Sequence, residues 1–414
     1  VKDNIDVAGI PTTNGATLPP FVPTADAIVV ERVLGGGGRI VGKLNMDAFG
    51  VGSTGETSGF GPTRNPWDPR RSAGGSSGGA GAAVAAGEVD GALGVDQAGS
   101  ARIPASFCGV VAIKPTIGTV PTGGVTHIDR SVDSVCPMSR TVAGASQLLS
   151  VIAGPDPRDG GPDEPSRELD LVEATARGVR GLRIAVIDES LAGAQPAVQS
   201  RLRVVAEGLS GAGAVVDHIS VPILSSAIDI ARGLLCFLGA ATLRAWGEGT
   251  GHLAAVDPDR LAAMEALRRD HGDAMPLYMK FWLVADAHLR ATTGAVGFAT
   301  LQNLRVRVRR DLDEALSRYD ALMTPTTPAT APLLGGSDDT PGRIARESVE
   351  LIANTCAFNL SGHPAVAVPS GIDDSGLPSS AQVIGRWFDE ATTIRVAGEV
   401  ERIAGPIPHP PIAG

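Results

Sequence analysis

Between Gly74 and Pro104 the chain reads GGSSGGAGAAVAAGEVDGALGVDQAGSARIP, and no other stretch restricts its fold as strongly. Glycines surround Ser76 and Ser77 and precede Ser100, which frees the backbone for unusual dihedrals and for close approach of a ligand. Two glycine-flanked serines joined by a small apolar segment imply a helix and a strand that bring the chain back to one place. That is an active-site pattern. Glycine and serine also make flexible linkers, but this stretch runs on into LGVD and FCGVVAIKP, apolar runs that read as buried.

The rest of the chain alternates between helix-like and strand-like segments. Helical spacing occurs over 25–34, 80–87 and 139–153, from about residue 195, through much of 225–295, over 301–319 and in the closing DEATTIRVAGEVERIA. Strand-like runs are RIVGK (39–43), Ala92–Val95, GLRIAVID (181–188), HISVPI near 218, the segment YDALMTP, and the pair PAVAVPSG and SAQVIGR. Alternation along the whole length indicates a layered α/β fold. There is no internal repeat and no independent second core, so the reading is one large domain. The polar segment 154–168 (GPDPRDGGPDEPSRE) marks a soft, exposed boundary within it. The long polar loop 51–73 belongs to a site, because compact domains seldom keep such loops otherwise.

Several function classes are set aside. A net charge of −10 with no basic run argues against nucleic acid as a partner. Apolar runs are short and interrupted, so no membrane partner is expected. Gly37 to Lys43 fits GxxxxGK, but Leu44 stands where a phosphate-binding loop needs Ser or Thr. The scattered cysteines (Cys108, Cys136, Cys236, Cys356) and histidines have no metal-ligand spacing, so neither metal nor cofactor is expected, and His363 reads as structural. Reduced thiols in apolar surroundings point to the cytoplasm.

A serine nucleophile needs a base. With no histidine well placed, a lysine can serve if its pKa falls from about 10.4 by two to three units, roughly 3–4 kcal/mol of differential burial. The only lysines are Lys2, Lys43, Lys114 and Lys280. Lys114 precedes proline at the end of a core strand and Lys280 lies in the variable helical region. Residue chemistry alone leaves Lys2 and Lys43 open.

VKDN, GRIVGKLNMDAFGVGSTGETSGFGPTRNPWDP, GGSSGG and DQAGSARIPASFCGVVAIKPT together resemble the amidase signature family. The resemblance is nearly continuous over 1–150, weaker over 300–405 (YDALMTPTTP, FNLSGHPAVAVPSG, IGRWFDEAT) and slight over 155–295. It implies a single domain over 1–414 with a central mixed β-sheet covered by helices on both faces. Residues 1–150 would form the catalytic core, 155–295 a mainly helical substrate-pocket region, and 300–414 the rest of the same fold. It implies a triad of Ser100 as nucleophile, Ser76 behind a cis peptide as proton relay, and Lys2 as base. It also implies an oxyanion hole made by the backbone N–H groups of Gln97, Ala98, Gly99 and Ser100. No cofactor or metal is implied. The partners are a small-molecule amide and water, and a homodimer is admitted.

Three departures from the family pattern stand out. Ala98 replaces the first of two glycines before the nucleophile, as in the related allophanate hydrolases, and would be strained at positive φ. Cys136 stands where glycine is expected. The elements that normally precede KDN are absent, so Lys2 would fray unless a further upstream segment holds it, and such a segment is expected. The resemblance implies an amidase that releases carboxylate and ammonia through a serine acyl-enzyme, closest to soluble bacterial amidases of the nitrile-pathway type, which share the DQ before the turn. Alternatives are the glutaminase subunit of a tRNA-dependent amidotransferase, which usually carries Gln where Ile103 follows Arg102, and a non-catalytic scaffold. The apolar cluster at 278–282 favours an uncharged acyl group.

Overall fold

In the sheet strands, side chains alternate strictly between two cores. Leu93 and Val95 face one core while Ala92 faces another, and Ile184 and Val186 oppose Ala185 and Ile187 in the same way. A sheet apolar on both faces must be covered on both. The computed structural model describes residues 1–159, 171–244, 255, 257–335 and 341–411. Within these residues the expected covering is found.

β1 (Arg64–Asn65) and β2 (Asp68–Ser72) form a small hairpin in the polar loop. The main sheet contains β3 (Gly91–Asp96), β4 (Val111–Lys114), β5 (Ser134–Ser139), β6 (Arg183–Ile187), β7 (Val215–Ile219), β8 (Ala321–Pro325), β9 (Ala365–Ile372) and β10 (Pro378–Ile384). Their order is β3-β5-β4-β9-β10-β8-β6-β7. Neighbours are antiparallel from β3 to β8, and β8, β6 and β7 run parallel, so the sheet is mixed. Because the strands come from 91–139, 183–219 and 321–384, all three stretches distinguished in the sequence share one sheet.

Helices Val142–Ile152, Pro196–Gly211 and Glu390–Ala404 cover one face through residues such as Leu149, Val205 and Ile394. The first starts at the expected Ser/Thr cap: Thr141 Oγ1 accepts the Gly144 N–H at 3.0 Å. The other face carries Gly78–Ala86, Arg102–Cys108, Ala227–Arg244 and the long Leu277–Arg318, which bends at Gly294. One segment, Pro222–Ala241, is long and apolar enough to cross a membrane by composition. Here Ala227, Ile230, Leu234 and Phe237 are buried in the protein's own packing, so its apolarity is accounted for by the core.

The expected strand RIVGK does not form. Residues 39–43 pair with no strand, Val41 is 65% exposed, and only Leu44 makes an isolated bridge, to Lys2. β-branched residues favour a strand only where a neighbour is available to pair. Lys43 instead ion-pairs with Asp3 at 3.2 Å. Of the expected exposed boundary at 154–168, residues 160–168 lie outside the described residues.

Candidate active site

Lys2 sits against the sheet. Its N–H donates to the Leu93 carbonyl of β3 at 2.9 Å, and the Leu44 N–H donates to the Val1 carbonyl at 2.8 Å. The side chain is fully buried, and Nζ donates to Ser76 Oγ at 2.7 Å and to the Val95 carbonyl at 3.1 Å. Burial lowers its pKa from 10.5 to about 8, against the weaker upward pull of Asp47, Asp133 and Asp96. These backbone contacts tie Lys2 to the sheet edge and to the 39–44 segment.

Ser76 follows a cis peptide bond from Gly75. Gly75 has no room for a side chain, because a Cβ there would lie 1.8 Å from Asp47 Oδ2. Asp47 is buried and accepts the Gly55 N–H at 3.0 Å and the Thr57 N–H and hydroxyl, each at 2.8 Å. The serine loop is thereby packed onto the polar 51–73 segment, which is the site role expected for that loop. On the other side the Ser77 N–H donates to the Ser100 carbonyl at 2.9 Å. The two serine segments are therefore adjacent through the backbone.

Asp96, the last residue of β3, shapes the turn that carries Ser100. Its carboxylate accepts the N–H groups of Gly99 (2.8 Å), Ala101 (3.1 Å) and Arg102 (3.2 Å). It also pairs with the guanidinium of Arg102 at 2.8 Å, both side chains being fully buried. Burial alone would raise its pKa, but Arg102, Asn359 and the turn amides outweigh burial and hold the carboxyl far below its ordinary range. Asn359 reaches in from the C-terminal part, donating to the Asp96 carboxylate at 2.9 Å and to its carbonyl at 3.0 Å.

Within the turn, Gly99 has φ +131° and Ala98 does not have a positive φ, so the alanine is not strained there. Thr355 Oγ1 donates to the Ala98 carbonyl at 2.5 Å. Because Asp96 takes the Gly99 N–H, the N–H groups of Gln97, Ala98 and Ser100 are the ones without an acceptor among the described residues. Cys136 is accommodated opposite Gly94 in the β3–β5 register, where it is fully buried. His363 is buried and bonded to Asp313 at 3.0 Å.

Ser100 lines a cavity of about 780 Å³ together with Gln97, Ala98, Ile128 and residues 50–53. Lys2 and Ser76 are thus hydrogen-bonded, and Ser100 is beside them in the cavity lining, with no Ser76–Ser100 side-chain hydrogen bond among the described residues. Such bonds often tighten only with substrate bound. Asp47 and the bracing roles of Asp96 and Asn359 escape the sequence reading. The signal that could have found the two aspartates is a carboxylate inside a glycine-rich apolar stretch, where burial is tolerated only with donors around it.

A family profile described as Amidase matches residues 1–394. A glutamyl-tRNA(Gln) amidotransferase subunit from Synechococcus sp. (strain RCC307) is 38% identical over 420 residues, covering 100% of this chain and 84% of that protein. The crystal structure of the corresponding Thermotoga maritima amidotransferase subunit superposes with a TM-score of 0.84 at 33% identity, covering 100% and 85%. A bacterial aryl acylamidase of the amidase signature family gives 0.80 at 27%, covering 98% and 81%. These relatives overturn the expectation that nucleic acid is excluded as a partner, since two of the three are named as subunits of an amidotransferase of glutamyl-tRNA(Gln). The expectation failed because net charge averages over a whole chain, whereas phosphates can be held by a local patch or by another subunit. With the profile matching 394 of its residues and close relatives spanning its length, the chain belongs to the amidase signature family, hydrolases of amide C–N bonds.

Proposed function

We propose that the chain hydrolyses a carboxamide through an acyl-enzyme on Ser100, with Ser76 relaying protons to and from Lys2. The observation that supports this most is the 2.7 Å hydrogen bond between Lys2 Nζ and Ser76 Oγ, made by a lysine whose pKa burial has brought to about 8. Neutral Lys2 takes a proton from Ser76, which takes one from Ser100 as its Oγ bonds to the amide carbon. The N–H groups of Gln97, Ala98 and Ser100 stabilise the oxyanion, each such donor contributing about 3–4 kcal/mol. The C–N bond breaks, ammonia leaves with the relayed proton, and water repeats the cycle on the ester to release the carboxylate. Four unpaired cysteines suit a reducing compartment, in keeping with the expected cytoplasmic location. A fluorophosphonate should label Ser100, and Ser100→Ala should lose both label and ammonia release. A Ser100→Ala variant with wild-type turnover would disprove the assignment.

A narrower reading is favoured by the relatives' names, and they favour it over a stand-alone amidase: a glutaminase subunit that delivers ammonia to a tRNA-bound glutamyl group in a larger assembly. On that reading, glutamine hydrolysis by this chain should rise sharply when partner subunits and glutamyl-tRNA are added. Indifference to them would count against it.

A further inference from the structure

The cavity walls carry information about the acyl group. Three helices enclose the space above Ser100: Ala227–Arg244 contributes Leu235, Leu277–Arg318 contributes Trp282 and Leu289, and Pro341–Leu351 with the residue after it contributes Val349 and Ile352. The Trp282 ring is closely fitted to its neighbour, because a Cβ on Gly239 would lie 2.1 Å from Trp282 Cζ3. Behind this wall Phe237 and Phe298 meet edge to face at 5.6 Å. Arg290, paired with the buried Asp286 at 2.8 Å, stands 5.2 Å over the Phe237 ring. The apolar wall is therefore fixed from behind.

Among the described residues, ionisable side chains other than Tyr278 reach the cavity only at its exposed rim. Asp229, Arg232, His288, Arg346 and Glu350 border it, and every one is exposed. Asp229 and Arg232 are moreover 3.7 Å from each other. Tyr278 is half-buried, and burial pushes its phenol up to about 12, so it presents a neutral hydroxyl. Free glutamine would place an ammonium and a carboxylate on a carbon about 4 Å from the reacting carbonyl carbon. At that depth no buried charged group lines the cavity to pair with either, and unpaired buried charges are strongly disfavoured.

Resting on the acyl-enzyme reading above, we propose that this pocket takes an uncharged, aryl-bearing acyl amide and discriminates against free glutamine, with Trp282 and Leu235 as specificity-determining residues. The walls thus oppose the glutaminase role that the relatives' names favour, and a substrate panel separates the two. The cavity of about 780 Å³ leaves ample room for a ring. Ammonia release by the purified chain should be measured on phenylacetamide, acetamide and glutamine, with fluorophosphonate labelling of Ser100 in parallel. The expected kcat/KM for phenylacetamide is about 100-fold or more above that for glutamine. Trp282→Ala should lower the phenylacetamide value about 10-fold while leaving acetamide within about 3-fold and the labelling rate unchanged. Should that variant fail to fold, Leu235→Phe is expected to reduce phenylacetamide turnover selectively by filling the same space.

Glutamine turned over as well as phenylacetamide overturns the proposal and leaves the Ser100 reading standing. So does labelling of Ser100 without ammonia from phenylacetamide. Equal loss on every substrate in Trp282→Ala removes the specificity role of that residue. Failure of both labelling and hydrolysis with all three amides would instead overturn the acyl-enzyme reading itself.

Discussion

Lys2 and Lys114 are both fully buried, and burial brings each from a pKa of 10.5 to about 8. Their surroundings differ. Lys2 Nζ donates to Ser76 Oγ, beside the turn of Ser100, whereas Lys114 Nζ donates to the Pro115 carbonyl at 2.9 Å, at the end of a core strand. A lowered pKa therefore marks burial alone, and it is the partner atom that sets the two lysines apart. Perturbed titration is a pointer to a site only when a reacting group stands next to it.

The strongest way to break this comparison is substitution. Lys2→Met should lower kcat by about 10²–10⁴-fold, the usual contribution of a general base, while Lys114→Met should leave kcat close to wild type. Steady-state kinetics on any turned-over amide decides this, and equal losses would erase the distinction. Next comes Asp96, whose charge raises the pKa of both lysines. Asp96→Asn leaves Arg102 buried without its partner and should cost about 3–5 kcal/mol of stability, read by denaturant unfolding. A loss under about 1 kcal/mol would show that Asn359 and the other neighbours suffice to hold the turn.

The smallest effect concerns pH. Below pH 8 both states hold the lysine protons, and the burial penalty is fully present. Between about pH 8 and 10.5 the unfolded chain keeps protons that the folded chain has released, so stability rises with pH, by up to about 3 kcal/mol for each lysine. Each Lys→Met variant should flatten part of that slope. Activity should rise through about pH 8 in wild type and in Lys114→Met alike, because only Lys2 is linked to the serines. A profile that changes with Lys114→Met would contradict the assignment.

How far the sequence can be read follows the range of the contacts. Ser76, Ser100 and the turn between β3 and Arg102 are legible because glycine spacing and apolar runs are local signals. Lys2 cannot be separated from Lys43 by local chemistry, since the choice depends on which one the sheet buries against Ser76. The strand expected over 39–43 fails for the same reason: RIVGK has strand-forming residues but no partner. The specificity wall is least visible. Leu235, Trp282 and Ile352 lie more than 130 residues from Ser100 in sequence, and only the packing of three helices brings them over it. The apolar cluster at 278–282 stands out in the sequence, but its members part company in the fold: Phe281 is 57% exposed while Trp282 is fitted closely against Gly239.

The bracing of the Ser100 turn by Thr355 and Asn359 has a consequence for synthesis. Lys2, Ser76 and Ser100 are all made well before Thr355 and Asn359, and the side chains that hold Ala98 and Asp96 in position emerge more than 250 residues after them. A growing chain therefore carries Ser100 long before it can fix the turn around it, and on the acyl-enzyme proposal hydrolysis should begin only after Asn359 has emerged. Ribosome-bound chains stopped before Thr355 should accordingly resist fluorophosphonate labelling, and full-length chains should accept it.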